Sequence, residues 1–137
     1  MAKNECIYKI NALLYELFYK MRMQEQQKIP CVAFSNAIEY INNNFTDPAL
    51  SVAQICKKFG ISEANLRLKF NRKFNLPPKK YILKLRLGLA VDMLSQNTYT
   101  VEQITTDCGF SDSKYFAKVI KQTYGVSPSK LAKRLIM

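Results

Sequence analysis

Residues 51–78 read SVAQICKKFGISEANLRLKFNRKFNLPP, and residues 100–128 read TVEQITTDCGFSDSKYFAKVIKQTYGVSP. Both stretches carry one design. Ser51 and Thr100 each precede an apolar row, and Gln54 and Gln103 follow three residues later. That is the capping-box spacing, in which a hydroxyl and an amide side chain satisfy the free amides at a helix start. The apolar row Val52, Ile55, Cys56, Phe59 recurs as Val101, Ile104, Thr105, Cys108, with one polar substitution at Thr105. Gly60-Ile61 and Gly109-Phe110 mark turns, because glycine closes a helix in the left-handed conformation at little cost. Ser62 and Asp112 then cap second helices whose inward residues are Leu66, Phe70 and Phe74 in one and Phe116, Val119 and Ile120 in the other. Ile55 matches Ile104 and Gly60 matches Gly109 at an offset of 49. After one inserted residue, Ser62 matches Asp112, Leu66 Phe116, Phe70 Ile120, Phe74 Tyr124 and Pro78 Pro128, at an offset of 50. A short helix, a tight turn and a second helix form a helix-turn-helix unit. Two aligned copies are read most economically as a tandem repeat.

Working outward, Pro78 to Leu94 reads as a long linker helix that starts on a proline, a residue tolerated in a first turn. Tyr81, Leu85, Ala90, Val91 and Leu94 supply its inward positions, with Leu87 and Leu89 near the edges. Gly88 costs helix propensity and marks a place where another element can approach closely. Upstream, Ser35 to Asn43 reads as a helix with Ala37, Ile38 and Ile41 inward and Phe34 and Phe45 at its ends. Asn42-Asn43-Asn44 and Asp47-Pro48 signal a loop. From Cys6 to Gln27, Ile10, Leu14, Leu17 and Met21 recur at helical spacing, flanked by Ile7, Leu13 and Phe18. Lys28-Ile29-Pro30 is expected to end that helix. The expected fold is all-α: an N-terminal helix within residues 1–30, a first helix-turn-helix subdomain at 34–77, a linker helix at 78–95 and a second subdomain at 99–137. The apolar face of residues 1–30 calls for a cover, from the rest of this domain or, the preferred readings, from a partner chain in a homodimer or from an effector domain of which this helix is the tail.

The 137 residues include 21 Lys and Arg against 10 Asp and Glu, a formal charge of +11. Most of the excess, +9, lies in residues 31–137. A cationic field of this kind attracts polyanions, nucleic acid first. The chain has no His and no paired carboxylates, so the usual general base and acid–base pairs are missing, and an enzyme is not expected. Cys6, Cys31, Cys56 and Cys108 form no CxxC pair, and with no His they do not read as a metal site. Cys56 and Cys108, in apolar helix rows, read as small core residues. No metal or cofactor is expected. Free thiols suit a reducing cytoplasm. No apolar run reaches the roughly 18–20 residues a bilayer span needs.

With Leu66 and Phe70 inward, Ala64, Arg67, Leu68 and Asn71 face outward or sideways. With Phe116 and Ile120 inward, Ser113, Lys114, Ala117, Lys118 and Lys121 do. A helix fits the major groove, where its wet face meets base edges. Ala64, Ser113 and Ala117 are short enough for close approach. Arg67 is suited to guanine O6 and N7, Asn71 to adenine, and Leu68 to a thymine methyl or to covering the linker helix. Lys114 and Lys118 can reach guanine or phosphate. Lys57, Lys58, Lys69, Arg72, Lys79, Lys80 and Lys121 are the expected phosphate contacts, with Lys73 beside them. Helix starts at Ser51, Ser62, Thr100 and Asp112 offer amides to phosphates, although the carboxylate of Asp112 repels an anion. The alternative is a helical protein-interaction module that uses the same basic face on an acidic partner. A nuclease or a cysteine alkyl-transfer protein finds no acid cluster or exposed thiol to support it.

From Phe34 onward the chain resembles the DNA-binding domain of the AraC/XylS family of bacterial transcription regulators. Ile104, Gly109, Phe110, Asp112, Tyr115, Phe116, Lys121, Gly125 and Pro128 fill the signature positions, and Arg86, Ala90 and Leu94 match the linker-helix pattern. Departures are Leu68 where the family often places Arg, Ile120 for Phe, Leu131-Ala132 for Tyr-Arg, and Lys114 for a small polar residue. The base preference therefore does not transfer. The resemblance implies two units entering successive major grooves of double-stranded DNA, a separate sensory or dimerisation domain, and RNA polymerase as a partner in activating transcription.

Overall fold

In a computed structural model the described backbone covers residues 2–137, and the described side chains are those of residues 11–18, 20 and 32–137. The described residues form helices without strands: α1 (Ala2–Asn44), α2 (Val52–Phe59), α3 (Glu63–Phe74), α4 (Pro78–Gln96), α5 (Val101–Asp107), α6 (Ser113–Tyr124) and α7 (Pro128–Ile136). Helices α2–α3 and α5–α6 are the two helix-turn-helix units, and α4 is the linker. None of the helices is long and apolar enough to cross a membrane, among the described residues.

The local signals act as capping chemistry demands. Ser51, Ser62, Asp112 and Ser127 each accept a hydrogen bond from an amide three residues on. Thr100 completes a reciprocal box: its Oγ1 accepts from Gln103 N at 3.2 Å, and its own amide donates to Gln103 Oε1 at 2.9 Å. The box expected at Ser51 is only half formed, since Ser51 Oγ accepts from Gln54 N at 3.2 Å without a return bond. For an exposed glutamine the entropy of holding one rotamer offsets one backbone bond. Gly60 closes α2 in the left-handed region at φ 64°.

One boundary differs from the sequence reading. The expected break at Lys28-Ile29-Pro30 is absent, and the two helices read at Cys6–Gln27 and Ser35–Asn43 are parts of α1. Proline's fixed φ is itself helical, so its interior cost is a lost hydrogen bond and a steric clash that the neighbouring turns must absorb. Met, Gln, Lys and Ala on either side favour helix. The expectations for the side chains of Ile7, Ile10, Met21, Cys6 and Cys31 lie outside the described residues. Leu13, Leu14, Leu17 and Phe18 are all exposed, so the chain's own fold does not cover that part of the α1 face.

Two cores result. The first gathers Phe34, Ala37 and Ile41 of α1 with Leu50, Ile55, Ile61, Leu66, Phe70 and Ile82. A ring cluster centres on Phe70, which lies 5.3 Å from Phe34, 5.4 Å from Phe74 and 5.3 Å from Tyr81, centroid to centroid. The second gathers Leu87, Ala90, Met93, Leu94, Ile104, Cys108, Phe110, Phe116, Val119, Ile120 and Leu131. Thr105 is buried there, and its hydroxyl donates to the Val101 carbonyl at 2.8 Å. The polar substitution in the repeat is therefore satisfied within its own helix.

Helix α4 serves both cores, which explains two further corrections. Leu87 is buried where the sequence placed it near an edge, and Ile82 and Met93 join the buried set. The inward face rotates where α4 passes from one core to the other, so a single apolar stripe does not describe it. Gly88 is exposed, and a Cβ there would meet nothing within 4 Å. It lines an open hollow with Leu76 and with Thr123 and Tyr124 of α6, without close contact.

Candidate nucleic-acid interface

Helix α3 buries Leu66 and Phe70 completely, and this fixes which side remains wet. Ala64, Arg67, Leu68 and Asn71 are all exposed. Helix α6 buries Phe116, Val119 and Ile120 and leaves Ser113, Lys114, Lys118 and Lys121 exposed, with Ala117 half-buried between them. Each helix therefore presents one outward row of the expected residues.

The Arg67 guanidinium lies 3.5 Å from the Glu63 carboxylate, one turn back on the same exposed face. An exposed pair at this spacing contributes on the order of a few tenths of a kcal/mol. Glu63 therefore orients Arg67 without holding it against a competing anion or base. Leu68 is 48% exposed and does not belong to the buried set of either core. An apolar side chain so placed is available to a thymine methyl. At the start of α6, Asp112 Oδ1 accepts from the Tyr115 amide at 2.7 Å, so the carboxylate is spent on the cap. Asp112, Ser113, Lys114, Tyr115 and Lys118 together line an open hollow on the surface. Tyr115, 44% exposed, adds an aromatic face beside two lysines. The sequence reading used it as a signature residue and missed it as surface. The helical offset that marks Lys114 and Lys118 outward also carries Tyr115, one residue along, to the rim.

The expected phosphate contacts fall into three groups. Lys57 and Lys58 sit in the last turn of α2, where cations complement the helix dipole. Lys58 Nζ stands 4.3 Å over the Tyr40 ring, and Lys69 Nζ 5.6 Å over Phe34. Lys73 Nζ lies 5.6 Å from Phe74 and 6.0 Å from Phe34. These three lean on the aromatic rim of the first core. Arg72, Lys79, Lys80 and Lys121 are exposed without such a ring contact. Lys79 and Lys80 occupy the first turn of α4, beside Pro78.

Among the described residues, the two cysteines are buried or half-buried thiols. Burial pushes the Cys108 thiol up to about 11, and burial first, then Glu63, raises that of half-buried Cys56. Both are poor nucleophiles near neutrality. No group of three or more His, Cys, Asp or Glu able to hold a metal occurs among the described residues.

Comparison with known proteins agrees with this geometry. A family described as helix-turn-helix domain matches residues 55–134. The Msm operon regulatory protein of Streptococcus mutans is 32% identical over 129 residues, which are 94% of this chain and 46% of that protein. The chain spans less than half the length of the curated relatives it matches. A probable AraC family transcriptional regulator from Rhodopseudomonas palustris superposes with a TM-score of 0.62 at 27% identity, covering 75% of this chain and 96% of that one. The DNA-binding domain of AdpA, solved in complex with a target DNA, shares the fold at a TM-score of 0.68 and 15% identity, over 74% of this chain and 90% of its own. By its paired helix-turn-helix units, their family match and these relatives, the chain belongs to the AraC-type family of transcription regulators and carries that family's DNA-binding domain.

Proposed function

We propose that the chain binds double-stranded DNA sequence-specifically by placing α3 and α6 in successive major grooves, and that it regulates transcription through that binding. The observation that carries this reading is the pair of capped helices in equivalent register, each with its apolar side fully buried and a row of short and cationic side chains left wet. Arg67, Leu68, Asn71 and Ala64 are the base-reading residues of the first unit. Ser113, Lys114, Ala117 and Lys118 are those of the second. Lys57, Lys58, Lys69, Arg72, Lys79, Lys80 and Lys121 contact phosphate. Association is led by charge, so affinity falls steeply with salt as counterions are released. Major grooves on one face recur about 34 Å apart, and a rigid linker reaches two of them at the cost of bending the duplex, which adds indirect readout.

The chain acts as a binding module and not as an enzyme, in the cytoplasm. The same reading assigns it RNA polymerase as a partner, together with homodimerisation through the exposed Leu13, Leu14, Leu17 and Phe18 of α1 or through a further domain. In vitro selection of bound duplexes tests the core of it. Two enriched blocks about one turn apart are expected. Arg67→Ala should relax one block and Lys118→Ala the other. Enrichment of a single block would count against joint engagement of two grooves. No duplex binding at low salt, with a stable complex with an acidic protein instead, would favour the interaction-module alternative.

A further inference from the structure

The short loop between α1 and α2, residues 45–51, is gripped from two sides over residues 45–47. From the linker helix, Arg86 Nε donates to the Phe45 carbonyl at 2.6 Å and Arg86 Nη2 donates to the Asp47 carbonyl at 2.9 Å. The guanidinium spans the loop as a planar fork, with two donors on two carbonyls two residues apart. The Asp47 carbonyl also accepts from Leu50 N at 3.1 Å, and Asp47 Oδ1 accepts from Ala49 N at 2.9 Å, so the loop is internally braced. From the second helix-turn-helix unit, the turn at Gly109 presses on the same loop. A Cβ on Gly109 would stand 2.6 Å from the Thr46 carbonyl oxygen, 2.8 Å from its carbon and 3.0 Å from the Phe45 oxygen. Gly109 also holds φ +85°. Burial lowers the Arg86 guanidinium from its ordinary value, while Tyr115 of α6 and Asp47 act to raise it. Groups from both units therefore surround this one cation.

The loop is part of the first unit: Phe45 packs on the first core, and Leu50 lies inside it. The turn at Gly109 leads into α6, whose capping Asp112 is three residues on. The contact thus joins the two units directly as well as through α4. We propose that Arg86 is a positioning residue which, with the close seat of Gly109 on Thr46, locks the first unit's orientation against the second and thereby sets the spacing and rotation between the two DNA blocks the protein accepts. The consequence for DNA rests on the two-groove reading above; the lock itself does not. Arg86 makes no contact with DNA in this scheme and acts through the loop.

Residual dipolar couplings on the free protein test the lock without DNA. In the wild-type chain, couplings from α2–α3 and from α5–α6 should fit one alignment tensor. Arg86→Ala should require two tensors of different orientation or magnitude, with each unit's own fit unchanged. Arg86→Lys keeps the charge but loses the fork, and should fall between. Gly109→Ala reaches the same loop from the other side and should also separate the tensors, which keeps the test open if one variant folds poorly. A single shared tensor in Arg86→Ala and Gly109→Ala, or two tensors in the wild type, would overturn the proposal. On selected duplexes, insertion of one or two base pairs between the blocks should weaken wild-type binding at least tenfold and Arg86→Ala binding severalfold less. Wild-type indifference to spacing would instead count against the two-groove reading, and the tensors would still decide the lock. Equal penalties in both proteins would show that the lock does not set spacing.

Discussion

The two helix-turn-helix units share a skeleton and differ in almost every exposed choice. At an offset of 50, Ala64 of α3 meets Lys114 of α6, Arg67 meets Ala117, Leu68 meets Lys118, and Asn71 meets Lys121. The cation sits on a different register position in each helix: where one has a long charged side chain, the other has a short or apolar one. Lys69 matches Val119, so α6 buries a position that α3 keeps half-exposed. Beneath the surface both cores are mainly aliphatic with two buried phenylalanines each, but partly buried rings of Tyr40, Phe45, Phe59, Phe74 and Tyr81 pack around the first, whereas aliphatic side chains pack around the second. The turns diverge as well. Gly60 stands in open space, whereas Gly109 is wedged against the α1–α2 loop. The comparison teaches that the repeat conserves the geometry that presents a helix, while the face presented and the neighbours of the turn vary with each unit's job. Under the proposed reading, the two units would read different sequence, and the second would also anchor the first.

The largest effect should come from Phe70→Ala, which removes a fully buried ring from contact with Phe34, Phe74 and Tyr81. A loss of about 3–5 kcal/mol is expected. Urea titration followed by amide resonances should show α2–α3 melting early while α5–α6 signals persist. Simultaneous loss of both would erase the distinction between the two cores.

The glycines sharpen the contrast between the turns. Gly60→Ala places a side chain in the left-handed region with nothing to strike, at a cost of about 1–2 kcal/mol. Gly109→Ala adds to that strain an atom 2.6 Å from a backbone oxygen, and should lower the melting temperature clearly further. Equal shifts would mean the loop moves aside freely.

A smaller difference is expected between the caps. Ser62→Ala and Asp112→Ala each remove a bond to an N-terminal amide and should cost about 1 kcal/mol. For Asp112→Ala, however, binding to any duplex should tighten slightly at low salt, because a negative charge leaves the α6 start. Fluorescence anisotropy on a random duplex measures this, and weaker binding by both variants alike would contradict it.

The smallest effect concerns the sulfur-rich second core. Burial holds the Cys108 thiol at about 11, above its ordinary 9.0, so the folded state favours the neutral form. Its contribution is complete below about pH 9 and is lost as pH rises toward 11. The stability difference between wild type and Cys108→Ala should accordingly shrink over that window. A constant difference would place the thiol in a wetter site than its buried contact with Met93 indicates.

Much of this was legible in the sequence, because caps, turns and apolar rows are local. Ser62, Thr100, Asp112 and Pro78 announce helix starts, and Leu66, Phe70, Phe116 and Ile120 define the buried sides from which the exposed faces follow. What was not legible is what depends on more than one element. Leu87 was misplaced because α4 turns its apolar side from one core to the other along its length. Pro30 reads as a stop because a dipeptide rule carries no information about what the flanking turns can sustain. The Arg86 grip was invisible because its partners are backbone carbonyls 39 and 41 residues away, and carbonyls leave no trace in residue identity. Tyr115 reads as a signature residue in the sequence, and its exposure depends on how α6 seats against Phe110 and Phe116.

The central claim is that α3 and α6 engage one duplex together, each on its own block. The most direct measurement compares affinity for a selected duplex bearing both blocks with affinity for the same duplex after a half-turn insertion of about 5 base pairs, which moves the second block to the far side. The account predicts that the insertion reduces binding to the level of a duplex carrying one block alone. Undiminished affinity after the insertion would contradict it.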